Sequence, residues 1–299
     1  MKKRLLPALL CVCMLGLCAC SKPAASTQTT EEKVVLLGYA QLGSESGWRE
    51  GNTRSIQQAA KEHGVKLRFE NAEQKQAKQI DAIRSFIAYR VDVIAFSPIV
   101  EDGWDVVLGE AKAAGIPVLL VDRGIVTQDE SLYTCFIGSD FIEEGRNAAR
   151  FLKRQTQDQE RVNIVEITGT SDSTPMRDRH RGFREEIECD ERYRIIDSMD
   201  GDFLRSKGKE CMKEMLKRNK EIDALYSHND SMTLGAVEAI EAAGLRPGKD
   251  ILIISIDGEQ KAIDLLKEGK INCVVECTPM LGDTVMTLAE ELAAGKTVP

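Results

Sequence analysis

Indole, guanidinium, carboxylate and amide groups stand just past the ends of apolar runs in this sequence. Trp48 and Arg49 come in the stretch that follows residues 34–40. Asp122 and Arg123 follow residues 118–121, Asn229 and Asp230 follow residues 224–227, and Asp257 follows residues 251–256. Together these groups suit a small polyhydroxylated molecule. A carboxylate accepts from two neighbouring hydroxyls, a guanidinium donates in a fixed plane, and an amide does both. An indole covers the C–H face of a sugar ring while the hydroxyls reach polar partners. Each group also has a plainer role open to it. Trp48 can cover a helix start, Arg49 can be a solvated helix residue, and Glu45 can cap the helix. Asp122 with Arg123 can be a strand-end salt bridge, and Asn229 and Asp257 can sit in Asx turns. Arg177 and Arg179 open a further helix after residues 168–175, where one can reach inward while the other faces solvent.

The elements that must position these groups alternate along the chain. Short, β-branched, continuous runs predict strands at 34–40, 66–70, 93–96, 118–121, 161–167, 195–199, 224–227, 251–256 and 272–276. Between them lie helix-period segments at 53–62, 76–89, 104–114, 141–154, 212–217 and 234–243, with a last one at 280–294. Over 76–89 the apolar residues Ile80, Ile83, Phe86 and Ile87 keep the 3.6-residue spacing of a helix face. Gly64, Gly115 and Gly244 stand where helices should stop. Such alternation means an α/β protein whose parallel strands are covered on both faces, with ligand sites outside their carboxyl ends. One sheet of nine strands satisfies the pattern, but two smaller sheets are easier to bury. A first series ends at Val121, and a fresh one runs from Phe141 to Glu276. Crossings near 133–139 and 276–279 would then form a hinge. The chain stops at 295–299 without a stop signal, so a longer C-terminus and a missing third hinge strand are expected.

The first twenty residues have another purpose. Lys2, Lys3 and Arg4 precede a short apolar core, the pattern of a secretory signal too short to span a bilayer with ease. It ends Leu17-Cys18-Ala19-Cys20, similar to a bacterial lipoprotein cleavage box, which makes Cys20 the expected lipidation site. An ordinary signal peptide with chance cysteines is the alternative. Residues 21–33, rich in Ser, Thr and Ala and with Gln28 among them, read as a flexible tether. The expected organisation is thus a signal peptide at 1–20, a tether at 21–33, a first lobe from 34–136 and 277–299, and a second lobe at 137–276.

Composition narrows the function classes. The formal charge is −8, and cleavage that removes Lys2, Lys3 and Arg4 takes it three units lower. That opposes a nucleic-acid surface, whose affinity comes from neutralising phosphates. Of nine cysteines, those at 11, 13, 18 and 20 lie in the export segment. The other five, Cys135, Cys189, Cys211, Cys273 and Cys277, lack paired spacing and read as free thiols used as small buried apolar groups. His63, His180 and His228 have no metal-ligand spacing, so no metal site is expected. The sequence carries neither a phosphate loop nor a nucleophile elbow.

Seven segments resemble the ribose/galactose-type periplasmic binding proteins of bacterial ABC sugar importers, and their galactofuranose-binding branch in particular. They are 39–49 (YAQLGSESGWR), 74–86 (QKQAKQIDAIRSF), 120–124 (LVDRG), 201–209 (GDFLRSKGK), 226–232 (YSHNDSM), 244–257 (GLRPGKDILIISID) and 275–279 (VECTP). The resemblance runs from about Val34 to the end of the chain. It implies the type I periplasmic binding protein fold: two Rossmann-like lobes with parallel sheets, joined by a hinge, with the ligand between them. By position it implies sugar contacts from Glu45, Trp48, Arg49, Asp122 and Arg123 in the first lobe. From the second it implies contacts from Arg179, Asn229 and Asp257, with Phe203 stacking on the sugar. Glu276 falls where relatives carry a polar contact near the hinge, and Ser97 at a position that varies. Segment 171–177 departs from the family's pattern.

The expected function is therefore that of an exported, lipid-anchored solute-binding protein with no catalytic residue and no cofactor. It would be a monomer whose partners are a monosaccharide (galactofuranose-like or a related aldose), the ABC permease subunits and, through acylated Cys20, the bilayer. The same lobes could instead report sugar to a histidine kinase or chemoreceptor. A sugar isomerase would need an acid–base pair or a metal. A repressor effector domain would follow a DNA-binding helix-turn-helix, whereas this chain starts with an export signal.

Overall fold

The computed structural model describes residues 34–298. The export signal, Cys20 and the tether lie outside them. Two sheets, each of five parallel strands, divide the described residues. The first has the order β2-β1-β3-β4-β5. Its strands are β1 (Leu36–Gln41), β2 (Lys66–Asn71), β3 (Val93–Phe96), β4 (Val118–Val121) and β5 (Cys135–Ile137). Helices α1 (Gly47–Glu62), α2 (Gln76–Tyr89) and α3 (Asp105–Ala113) connect them. The alternation of side chains along each strand sorts the core onto two faces. Ile94 and Phe96 face α2 and α3. Val93 and Ala95 face α1 and the last helix of the chain, α9 (Gly282–Ala293).

The second sheet, order β10-β9-β8-β6-β7, is built the same way. It holds β6 (Val162–Thr168), β7 (Tyr193–Asp200), β8 (Ala224–Ser227), β9 (Leu252–Asp257) and β10 (Cys273–Glu276). On one face Val165, Ile167, Leu225 and Ile253 meet α6 (Arg205–Arg218) and α7 (Asp230–Ala242). On the other, Ile164, Tyr226 and Ile254 meet α4 (Phe141–Gln155) and α5 (Thr174–Ile187). Helix α8 (Gln260–Lys267) joins β9 to β10. The chain crosses twice between the lobes. After β5 it enters α4, whose Phe141, Ala148 and Leu152 belong to the second core. After β10 it returns through α9, whose Val285, Met286 and Ala289 belong to the first.

Two smaller sheets are thus the arrangement adopted, and a tenth strand, β5, joins the nine read from the sequence. Residues 135–137 were expected in the crossing segment. With three residues and Phe136 exposed, β5 has no apolar run to announce it. It forms because β4 offers a free edge, pairing Leu119–Val121 with Cys135–Ile137. Of the five cysteines only Cys211 and Cys277 are buried, and Cys189 is exposed. The expectation of buried thiols therefore fails at Cys189, which follows the end of α5.

Helices α4 and α5 approach so closely that only glycine fits at the crossing. A Cβ on Gly145 would lie 2.2 Å from the Arg179 carbonyl oxygen, and one on Gly182 would lie 2.0 Å from that of Ile142. Backbone cannot yield as a flexible side chain does. Gly145→Ala is therefore expected to destabilise the fold by about 1–3 kcal/mol, the usual scale of overpacking. A denaturant titration checks this, and an unchanged midpoint would show that the helices part freely.

Candidate functional site

The first-lobe wall begins where β1 ends. Ser46 caps α1 by accepting from the Arg49 N–H at 3.1 Å, as short hydroxyl residues do at helix starts. The first turn that follows presents Trp48 and Arg49. Trp48 Nε1 donates to the Cys277 carbonyl at 2.7 Å, which ties the indole to the second crossing. Arg49 lies 4.7 Å from the indole centroid. Its Nε donates to Glu45 at 2.9 Å and its Nη2 to Asp122 at 2.5 Å. Arg123 Nη1 donates to the Ile99 carbonyl at 3.1 Å, while its buried Nε has no hydrogen-bond partner. Burial, reinforced by the neighbouring Arg49, pushes the Arg123 guanidinium down to about 10. For Arg49, burial acts in the same direction, but Asp122 and Glu45 outweigh it and hold the group charged.

The second lobe supplies the facing wall. Arg179 on α5 donates to Glu144 at 2.8 Å and to the His228 carbonyl at 2.6 Å, and its Nη2 lies 3.5 Å from Asp257. The tip of the Phe203 ring abuts Gly169, where a Cβ would come within 1.9 Å of Cζ. Arg123 of the first lobe sits 5.2 Å from that ring. Asn229 caps α7 by accepting from Met232 N–H at 2.9 Å, and its amide donates to the Phe203 carbonyl at 3.3 Å. The plain Asx role left open for Asn229 is thus filled. Burial drives the Asp257 carboxyl well above its ordinary value. Three non-glycine residues here, Asp122 (φ 66), Phe203 (φ 60) and Asp257 (φ 130), have positive φ. Such strain is tolerated where the surroundings over-determine a side chain's direction.

These residues surround a narrow crevice with a cavity volume of about 20 Å³. The walls are close together, and the lobes touch on both sides of the crevice. On one side Arg177 pairs with Glu101, Glu101 N–H donates to the Asp172 carbonyl at 2.9 Å, and Gly124 N–H donates to Thr174 Oγ1 at 3.1 Å. On the other, Gly47 N–H donates to Ser231 Oγ at 3.3 Å. Three guanidiniums (Arg49, Arg123, Arg179) and three carboxylates (Glu45, Asp122, Asp257) line the crevice. Balanced charges at hydrogen-bonding distance, with Trp48 and Phe203 beside them, suit a neutral ligand rich in hydroxyls. A wider groove of about 800 Å³ runs outside, between α1 and the start of α8, among the long side chains of Glu50, Arg54, Lys61 and Lys261.

The structure brings Glu45, Trp48, Arg49, Asp122, Arg123, Arg179, Phe203, Asn229 and Asp257 to one crevice. Two other sequence candidates lie elsewhere. Ser97 is fully buried behind the wall, 3.5 Å from Arg49 Nη1 and 3.3 Å from the Tyr39 hydroxyl. Glu276 is exposed at the end of β10, and the adjacent Cys277 lines the crevice in its place. Neighbours on an extended chain point to opposite sides, so a one-residue error in position moves a side chain out of the site. Pro175, in the first turn of α5, also lines the crevice. The strand-end rule applied to β10 would have found Cys277, whereas Pro175 lies seven residues past the end of β6, within α5. Of the two arginines at the start of α5, Arg179 turns inward and Arg177 pairs across the lobes instead of standing free in solvent.

One buried group behind the site has a pH consequence. Asp230 accepts from Ser255 Oγ, from Gly258 N–H at 2.7 Å and from Glu259 N–H at 2.6 Å. It thereby holds the loop that carries Asp257. Burial pushes its carboxyl up to about 6. A folded value above the unfolded one, about 3.9, means the native state binds the proton more tightly. The stability this confers is present in full below about pH 4 and is lost as pH rises to about 6, on the order of 2–3 kcal/mol. Asp230→Asn is expected to remove that slope. Chemical denaturation of both proteins across this window checks it, and parallel pH profiles would contradict it.

The chain is similar in sequence and fold to known proteins. A family model described as a periplasmic binding protein domain matches residues 38–297. The galactofuranose-binding protein YtfQ of Escherichia coli (strain K12) is 41% identical over 88% of this chain and 83% of its own. A solved structure from Mycobacterium smegmatis in complex with β-D-fucofuranose is 51% identical, with a TM-score of 0.88, covering 89% of this chain and 88% of the other. The periplasmic binding component of an arabinose ABC transporter from Shewanella sp. ANA-3, bound to L-arabinofuranose, is 44% identical with a TM-score of 0.85, covering 88% and 87%.

Proposed function

Because this chain belongs to the periplasmic binding protein family, we propose that it captures one neutral furanose sugar between its lobes and delivers it to an ABC importer. The observation that carries the reading is the crevice itself, in which buried hydrogen-bonding groups of both lobes face each other beside Trp48 and Phe203. The unpartnered Arg123 Nε is a donor for a ring or hydroxyl oxygen. Asp122 and Asp257 are acceptors for paired hydroxyls, and the indole and phenyl rings cover the C–H faces. A ligand that engages both walls favours the closed arrangement by its differential contacts, and the closed form is what a permease can distinguish. The furanoses bound by the M. smegmatis and Shewanella relatives support a five-membered ring. The transporter context of the Shewanella relative favours import over sensing.

The proposal extends to the cell surface. Acylation of Cys20 would hold a monomeric domain on the extracytoplasmic face of the membrane through residues 21–33. Each buried methylene of an acyl chain contributes about 0.8 kcal/mol. Cys20→Ala is the matching control, since an unanchored protein would be released.

Calorimetric titration with L-arabinose, D-galactose, D-fucose, D-ribose and D-fructose tests the ligand class. At least one sugar is expected to bind at a micromolar dissociation constant, about −8 kcal/mol. A panel in which none produces heat at millimolar concentration would refute the reading.

A further inference from the structure

Behind the second-lobe wall lies a carboxylate that the crevice does not use. Glu166 is in the middle of β6 with no exposed surface. It stands on the sheet face otherwise made of Ile164, Tyr226 and Ile254. Three side chains donate to it: His180 Nδ1 at 2.9 Å, His228 Nε2 at 3.0 Å and Ser198 Oγ at 3.0 Å. Burial alone would raise its pKa, but the hydrogen bonds from His180 and His228 more than reverse this, so the carboxylate stays ionised. Burial keeps His228 neutral. As a donor from Nε2 it carries its proton there, and its buried Nδ1 has no partner.

The chain positions of the two imidazoles give this cluster a role. His180 directly follows Arg179, and His228 directly precedes Asn229. Arg179 Nη1 in turn donates to the His228 carbonyl at 2.6 Å. One buried carboxylate therefore grips the neighbours of two residues of the crevice wall, and Arg179 closes the ring between them. The Tyr226 ring, stacked on Phe183 at 4.0 Å and 4.9 Å from the His228 ring, packs the same cluster. An ionised group in an apolar face carries a desolvation cost that its hydrogen bonds must offset, so it adds little net stability over an apolar residue.

We propose that Glu166 is a positioning residue for ligand capture, which sets Arg179 and Asn229 in the second-lobe wall through His180 and His228. The proposal rests on the sugar-binding reading above. Glu166 acts at a distance by fixing the backbone at 180 and 228. Its removal is expected to alter affinity even in fully folded protein, which a purely structural group would not do.

The test is calorimetry with L-arabinose and D-galactose on folded full-length protein, with stoichiometry reporting the competent fraction. Glu166→Gln keeps the shape but offers an amide N–H to one imidazole, and it is expected to weaken binding about tenfold at unchanged stoichiometry. His180→Ala, at a one-third exposed side chain, is expected to weaken it severalfold, and decides the matter should the Glu166 variant not fold. Tyr193→Phe, in β7 of the same sheet, removes a buried hydrogen bond to Thr156 at the end of α4 but touches neither wall residue, and is expected to bind as the parent does. In an Arg179→Lys background the Glu166→Gln effect should shrink, because the two act through one contact. Parental affinity in folded Glu166→Gln and His180→Ala, or full additivity with Arg179→Lys, overturns the proposal. If the parent binds neither these sugars nor any of the wider panel, the reading beneath it fails and the proposal falls with it.

Discussion

Asp122→Ala is expected to weaken sugar binding at least about a hundredfold and to destabilise the fold by about 3–5 kcal/mol. The first-lobe wall holds Glu45, Arg49, Asp122 and Arg123, none more than 9% exposed. Their charges cancel as two pairs. Asp122 holds Arg49 Nη2 at 2.5 Å and lies 3.9 Å from Arg123 Nε. Removing it leaves two guanidiniums sharing one carboxylate in a water-poor cleft. Arg123, already lowered by burial and by Arg49, loses part of what keeps it protonated. The ligand loses an acceptor for paired hydroxyls, and Arg49 loses the partner that aims it. Asp122→Asn keeps the shape without the charge and is expected to fall between. Denaturant unfolding and calorimetry on the same preparations separate the two effects. Parental affinity in folded Asp122→Ala would make Asp122 a structural group alone.

Arg179→Met is expected to remove binding to the limit of calorimetric detection and to make stability fall with pH. Arg179 is the cation between Glu144 and Asp257, and Glu144 Oε1 is already buried without a partner. In the native protein burial raises Asp257, and Arg179 partly opposes this. Without the guanidinium the folded value rises further above the unfolded one. A raised folded value contributes stability in full below the unfolded pKa, and that stability is lost as pH climbs through the folded one. The stability deficit of Arg179→Met against the parent should therefore be smaller at the acid end of the range than at the alkaline end, opening as pH rises above the raised folded value of the parent's Asp257. Urea titrations at both ends check the sign, and a deficit independent of pH would show that Asp257 does not depend on Arg179.

The α/β architecture is legible in the sequence because parallel strands buried on both faces have to be continuous apolar runs. Residues 93–96, 118–121 and 224–227 are fully buried along their length, and the first two are bounded by β-branched and apolar residues alone. Where tertiary pairing decides, the sequence is silent. Strand β5 exists by docking on β4, and α8, eight residues with one buried position, has no stripe long enough to read.

Much of the crevice was readable from one rule, that ligand groups gather past the carboxyl ends of strands. What it could not give is the division of labour within the wall. Asn229 and Asp122 serve the protein's own hydrogen bonds as well as facing the crevice. Trp48 uses its indole N–H on the Cys277 carbonyl, which leaves only its ring for a ligand. Glu276 and Cys277 exchange places because a strand end fixes parity only once its last paired residue is known, here Glu276 opposite Asp257. The Glu166 cluster was hidden because Glu166, His180 and His228 come from three separate elements and share no spacing in the chain.

Diffraction from crystals grown with L-arabinose or D-galactose decides between this account and its rivals. The expected result is a five-membered ring between the lobes, over the Trp48 indole, with hydrogen bonds from Arg123 Nε and to Asp122 and Asp257. A sugar seated outside the crevice, or one inside it that touches only a single lobe, would contradict it.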